Sequence, residues 1–230
     1  MSPTGLYNLS FASKNPYTYY ISPEATGDLG NLGGCLKNWS PPSCPNFGDK
    51  HGDDNRPQPE KLDLYLVPKS QPCELMWYTQ DCVIKQELVE VFEAEAFTGV
   101  EFRPVNLYRG PRCSNPLEGY VEMRVSGRVA ADEEKSGIRI AYQCPLCGAT
   151  RYTKWSLKKG LHLKGTYEEW PEVFKVGPSS IGMILVKERF AQFVMAKKYR
   201  QLMLTRFDDY LRYSDEYRRS LPFMMMPEDL

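Results

Sequence analysis

The stretch VIKQELVEVFEAEAFTGVEFRPV, residues 83–105, decides how this chain is read. Ile84, Leu88, Val91 and Phe92 recur at helical spacing, which predicts a helix over 83–97, and Gly99 then turns the chain into a strand over 99–105. A similar unit recurs further on: 183–186 reads as a strand, 187–198 as an amphipathic helix and 201–207 as another strand. Outward from these units, 120–125 alternates apolar and polar residues as a half-buried strand does, and 62–67 reads as a strand that Pro68 ends. Residues 138–142 form a further expected strand whose end delivers the chain into Cys144, with 151–155 running back beside it as an antiparallel partner. Strands and helices mixed in this way predict an α+β fold with mixed or antiparallel sheets, a few helices and a zinc-knuckle-like hairpin.

The flanks are less regular. Residues 1–60 are rich in Gly, Pro, Asn and Ser, with aromatic islands at Tyr7, Phe11, Tyr17, Tyr19 and Tyr20 that suit short strands, while 27–34 and 49–59 read as loops. Beyond Phe207, Tyr210, Leu211 and Tyr217 lie at helical spacing, a docking face, and Pro222 and Pro227 punctuate the last residues. The expected organisation is one α+β domain over 1–230. Its alternative division is into two similar helix-strand halves, about 1–115 and 116–207, with a helical extension over 208–230.

Lys plus Arg total 29 and so do Asp plus Glu, so no overall charge draws the chain to nucleic acid or to an anionic membrane. The distribution is uneven: 81–101 holds six acids and one base, and 151–200 holds eleven bases and four acids. Such blocks are solvated faces, complement each other within the fold, or, at Glu87, Glu90, Glu93 and Glu95, form a surface for a charged partner. No apolar stretch reaches the length of a membrane span, and no basic segment followed by an apolar run opens the chain, which predicts a cytoplasmic protein. An odd number of cysteines, seven, fits a reducing compartment better than a disulfide framework.

The chemistry-bearing motif is Cys144-Pro145-Leu146-Cys147-Gly148. Two cysteines separated by two residues can turn both sulfurs toward one ion, and zinc favours such soft, readily deprotonated donors in sets of four. The missing ligands are expected from Trp39-Ser40-Pro41-Pro42-Ser43-Cys44-Pro45-Asn46-Phe47-Gly48, which has the shape of a second knuckle with Phe47 in place of its second cysteine. The candidate set is Cys144, Cys147, Cys44 and His51, with Cys35 as the alternative fourth donor.

The order of these segments resembles the myxobacterial double-CxxCG family of presumed immunity proteins. The resemblance rests on Trp39 to Gly48, on Gln143 to Gly148, on Gly99-Val100-Glu101-Phe102-Arg103-Pro104-Val105, on Val173-Phe174, and on Ile184-Leu185-Val186-Lys187-Glu188-Arg189-Phe190. It spans roughly residues 39 to 207, through motifs that are individually short. It implies a non-enzymatic protein that binds a cognate bacterial toxin and neutralises it by covering its active surface. Phe47 departs from the family pattern and weakens the case for zinc, and the tail after Phe207 is longer than the pattern.

Two other classes compete. Lys154, Lys158, Lys159 and Lys164 with Tyr152 and Trp155 beside the knuckle suggest a zinc-ribbon nucleic-acid binder. A thiolate enzyme would need Cys144 or Cys147 beside His162, one of only two histidines, and the chain carries no phosphate loop, nucleophile elbow or His-Glu-x-x-His. Trp39, Trp77, Trp155 and Trp170 are expected core anchors, and Cys73, Cys82 and Cys113 lack ligand spacing.

Overall fold

The structure, a computed structural model, describes residues 5–11, 18–19, 62–66, 72, 74–78, 81–109, 113–146, 150–178, 183–197 and 202–219. Its first strands are β1 (Leu6–Phe11), β2 (Thr18–Tyr19), β3 (Leu62–Leu66), β4 (Leu75–Tyr78) and β5 (Asp81–Lys85). Helix α1 (Gln86–Ala94) follows, then β6 (Val100–Tyr108), β7 (Tyr120–Val125), β8 (Arg128–Ala130) and α2 (Glu133–Ser136). The hairpin strands β9 (Ile140–Gln143) and β10 (Thr150–Tyr152) lead to β11 (Val173–Gly177), β12 (Ile184–Lys187), α3 (Glu188–Lys197), β13 (Leu202–Arg206) and α4 (Phe207–Arg219). The fold is α+β, with mixed and antiparallel sheets.

Two larger sheets carry the architecture, one in the order β2-β3-β6-β7-β5-β4 and the other β13-β1-β12-β11-β8, and the β9-β10 hairpin stands apart. In the first, β5 and β6 both run antiparallel to β7, so they are parallel to each other, joined over α1, with β7 inserted between them. In the second, β12 and β13 both run antiparallel to β1, so α3 joins two parallel strands split by the N-terminal strand. The chain therefore builds the same split β-α-β unit twice. Gln86 and Glu188 open the helices, and Val100 and Leu202 open the second strands, a constant offset of 102 residues. Register repeats as well: Ile84 faces Val121 as Val186 faces Tyr7, and Phe102 faces Met123 as Leu204 faces Leu9.

One core lies between the two sheets. Phe92 and Val89 from α1 meet Phe190, Ala191 and Val194 from α3, above Ile84 and Met123 of one sheet and Leu9 and Val186 of the other. The ring of Phe92 stands edge-on to Phe193 at 5.2 Å, and Phe97 to Phe190 at 4.9 Å, the preferred geometry for aromatic pairs. Smaller cores fill the outer faces: Leu64, Met76, Val83 and Leu107 behind the first sheet, and Trp155, Trp170, Phe174 and Phe207 behind the second.

The two sheets are stitched by backbone at a point where no side chain fits. A Cβ on Gly99 would lie 1.9 Å from the Val173 carbonyl oxygen, and one on Gly127 would lie 2.1 Å from the same atom. Both positions must be glycine, and Gly99 also holds a φ of 88° that L side chains disfavour. The gap is closed by amide bonds: Val173 donates to the Thr98 carbonyl at 3.1 Å, and Lys175 to that of Gly127 at 3.0 Å.

Several boundaries differ from the sequence reading. The expected helix over 83–97 is a strand to Lys85 and a helix from Gln86, because Cys82, Val83 and Ile84 are all fully buried. A strand covered on both faces shows a continuous apolar run that periodicity cannot tell from a helix. On the helix it is Val89 and Phe92 that are buried, with Leu88 and Val91 only half so. Ile138 packs in the second outer core before its strand starts at Ile140. By contrast β7 has the expected bounds, and β1 takes in the aromatic islands Tyr7 and Phe11. Trp155 and Trp170 are core residues as expected, whereas Trp39 and Cys73 lie outside the described residues. Cys82 is buried and Cys113 exposed.

Candidate partner interface

Helix α1 buries Val89 and Phe92, and this rotation points Glu87, Glu90 and Glu93 away from the core, all exposed, with Glu95 exposed at the helix end. The four acids differ in what holds them. Glu87 is paired with Lys85 at 3.1 Å, and the hydrogen bond that the ammonium donates to this carboxylate holds the lysine above its ordinary pKa. Glu95 approaches Arg189 at 3.7 Å, and its backbone carbonyl accepts from the same guanidinium at 2.8 Å. The Glu90 and Glu93 carboxylates make no hydrogen bond or ion pair among the described residues.

Beside this face, where α1 ends at a left-handed Ala96, a groove of about 600 Å³ opens over β6. Phe92, Phe97, Val100 and Phe102 form its floor, and Glu93, Glu101 and Arg103 its rim. Arg103 pairs with Glu101 at 3.1 Å. An acidic helix face continuous with an aromatic groove is the composition that a basic, anchor-bearing partner needs. The acidic block 81–101 made Glu93 and Glu101 legible, but the aromatic floor was not, because Phe97 and Phe102 join it only through the turn at Gly99.

The other candidate positions are not assembled in the same way. Cys144 directly follows β9 and is buried, and the β9-β10 register sets Thr150 opposite Gln143 with a bulge before Tyr152. A buried thiol at the mouth of a hairpin suits the first donor of a knuckle. Cys147, Cys44, His51 and Cys35 lie outside the described residues, and among the described residues no group of three metal-ligating side chains comes together. Trp155 is 1% exposed and cannot stack on a base. Lys154, Lys158, Lys159 and Lys164 are exposed, and Lys159 donates to the Glu134 carbonyl at 3.1 Å. The His162 ring Nε2 bonds the Lys159 carbonyl at 2.8 Å, so the imidazole is held by its own turn.

No family model matches this chain, and no curated protein does. The site is therefore read from its own geometry, and the most informative comparison is internal. At the α3 positions equivalent to Glu87, Glu90, Glu93 and Glu95 stand Arg189, Gln192, Met195 and Lys197. The same scaffold is built there without a single acid, so the fold does not require them on α1. Among the described residues, no helix is long and apolar enough to cross a membrane.

Proposed function

We propose that this chain is an immunity-type protein, as its resemblance to the double-CxxCG family implies: it binds a cognate bacterial toxin in the cytoplasm and neutralises it by covering its active surface, catalysing nothing itself. The observation that carries this reading is the exposed acidic face of α1, where the Glu90 and Glu93 carboxylates have no partner among the described residues and Glu93 lines an aromatic groove. Surface acids without structural partners cost nothing to retain and accelerate encounter with a basic protein, and an adjacent aromatic pocket supplies the affinity that charge alone does not. In this reading Glu87, Glu90, Glu93 and Glu95 form the toxin-facing surface.

Zinc enters as a structural element of the same reading. Cys144 and Cys147, with Cys44 and His51, would hold it and brace the hairpin against the N-terminal segment. Elemental analysis of the purified chain tests this: about one zinc per chain, lost in Cys144→Ser, is the expected result, and metal-free protein of full stability removes the metal.

The function is tested by growth. The reading expects the gene immediately upstream to encode a toxin domain, and cells producing that domain to survive when they also make this chain and to die when it carries Glu90→Lys with Glu93→Lys. Full protection by a folded charge-reversed variant would remove α1 as the surface, and no protection by the wild-type chain would remove the immunity reading.

A further inference from the structure

We infer that the groove between the end of α1 and β6 is an anchor site for one arginine side chain of a basic partner protein, an inference that rests on the reading of the α1 face as a binding surface.

The molecule already contains the arrangement once. On one side of Phe97, the Arg189 guanidinium lies 4.5 Å from the ring centroid, between the carboxylates of Glu172 and Glu95. That is a cation on an aromatic face, with the Glu172 carboxylate and the Glu95 backbone carbonyl taking its N–H groups and the Glu95 carboxylate nearby. The groove repeats the composition with the cation supplied from outside: the half-buried ring of Phe102 on the floor, backed by the buried Phe97, and Glu93 and Glu101 along its lining. Phe102 is only half-buried although it packs 6.2 Å from Phe92, which leaves it available to a partner. Arg103 occupies one side of Glu101, but a carboxylate accepts from several donors, so the pair can stay while a second guanidinium arrives.

Arginine fits better than lysine. A planar guanidinium can stack on a ring while its fork of N–H groups reaches carboxylates at the edge, whereas an ammonium is a compact charge that gives up water reluctantly. The counterpart unit confirms that the rim is dispensable for folding, since Met195 and Met203 stand where Glu93 and Glu101 do.

The test uses the full chain and the peptide Gly-Lys-Gly-Arg-Gly-Lys-Gly, with an otherwise identical peptide in which citrulline replaces arginine, at low salt. Binding is followed through the amide chemical shifts of Val100 and Phe102. The arginine peptide is expected to move both signals and to bind at least about fivefold more tightly than the citrulline peptide. Glu93→Gln should weaken the arginine peptide by a similar factor and leave the citrulline peptide nearly unchanged, so that the two losses do not add. Phe102→Leu keeps an apolar floor and should reproduce the arginine-selective loss with an unchanged melting temperature. Equal binding of both peptides, or losses that simply add, would overturn the anchor and leave general charge attraction. If arginine selectivity fails while charge reversal on α1 still abolishes protection, the anchor falls and the immunity reading stands. If selectivity holds while charge reversal leaves protection intact, the immunity reading of α1 falls and the anchor stands.

Discussion

The unit β5-α1-β6 and the unit β12-α3-β13 share strand order and register, with helices of nine and ten residues, yet their surfaces have opposite character. Inside, equivalent positions do equivalent work: Val89 and Phe92 bury where Ala191 and Val194 bury, and the middle strands place a buried polar residue at the same point, Glu122 in one and Asn8 in the other. Outside, α1 presents acids and α3 presents Arg189, Gln192, Met195 and Lys197. The difference separates what the scaffold demands from what it merely carries. Burial and register recur because packing imposes them, whereas Glu90 and Glu93, whose carboxylates have no partner among the described residues, do not recur.

The comparison breaks most severely where the two units touch. Gly99→Ala places a methyl inside the Val173 carbonyl and strains a positive φ, so a loss on the order of 4 kcal/mol in urea denaturation is expected, and Gly127→Ala should behave similarly. A variant of normal stability would mean the sheets are not joined there. Next comes the shared core: Phe92→Ala should cost about 3–4 kcal/mol, against roughly 2 kcal/mol for the smaller equivalent Val194→Ala. Equal losses would show that the helices do not pack as described.

A smaller effect is expected at the polar clamp that Arg189 forms between the units. Arg189 binds Glu172 through two nitrogens and reaches the Glu95 carbonyl, and Glu172 also accepts from the Thr98 amide at 3.1 Å. Burial would raise the Glu172 pKa, but the Arg189 and Thr98 hydrogen bonds outweigh it and hold the group below its ordinary value of 4.5. A depressed carboxylate contributes stability that is complete above its unfolded pKa and lost as pH falls through the folded one. Glu172→Gln should therefore cost about 1–2 kcal/mol near neutral pH, and the gap from wild type should close below pH 4.5. A gap that persists in acid would mean that the charge is not what binds the units together.

How much of this was legible beforehand depended on whether the signal was local. The alternation of 120–125 gave β7 with its bounds, because Glu122 and Arg124 alternate with apolar residues, and the helices were visible from their apolar periods, because one face of each meets solvent. β5 was hidden because Cys82, Val83 and Ile84 are covered on both sides, which erases alternation. The insertion of β1 between β12 and β13 joins residues about 180 apart in sequence, as in Tyr7 opposite Val186, and no local pattern reports such a pairing. For the same reason the acids of the candidate site could be read from composition, while its aromatic floor required the fold. The knuckle was read from spacing, and of its four proposed ligands only Cys144 falls within the described residues.

The smallest expected effect on stability carries the most weight for function. In a chain with Glu90→Gln and Glu93→Met, the residues α3 bears at those positions, thermal stability and protection against the upstream-encoded toxin are measured together. Stability should stay within about 0.5 kcal/mol of wild type while protection falls roughly tenfold or more. Undiminished protection by this folded variant would contradict the claim that the acids of α1 serve a partner.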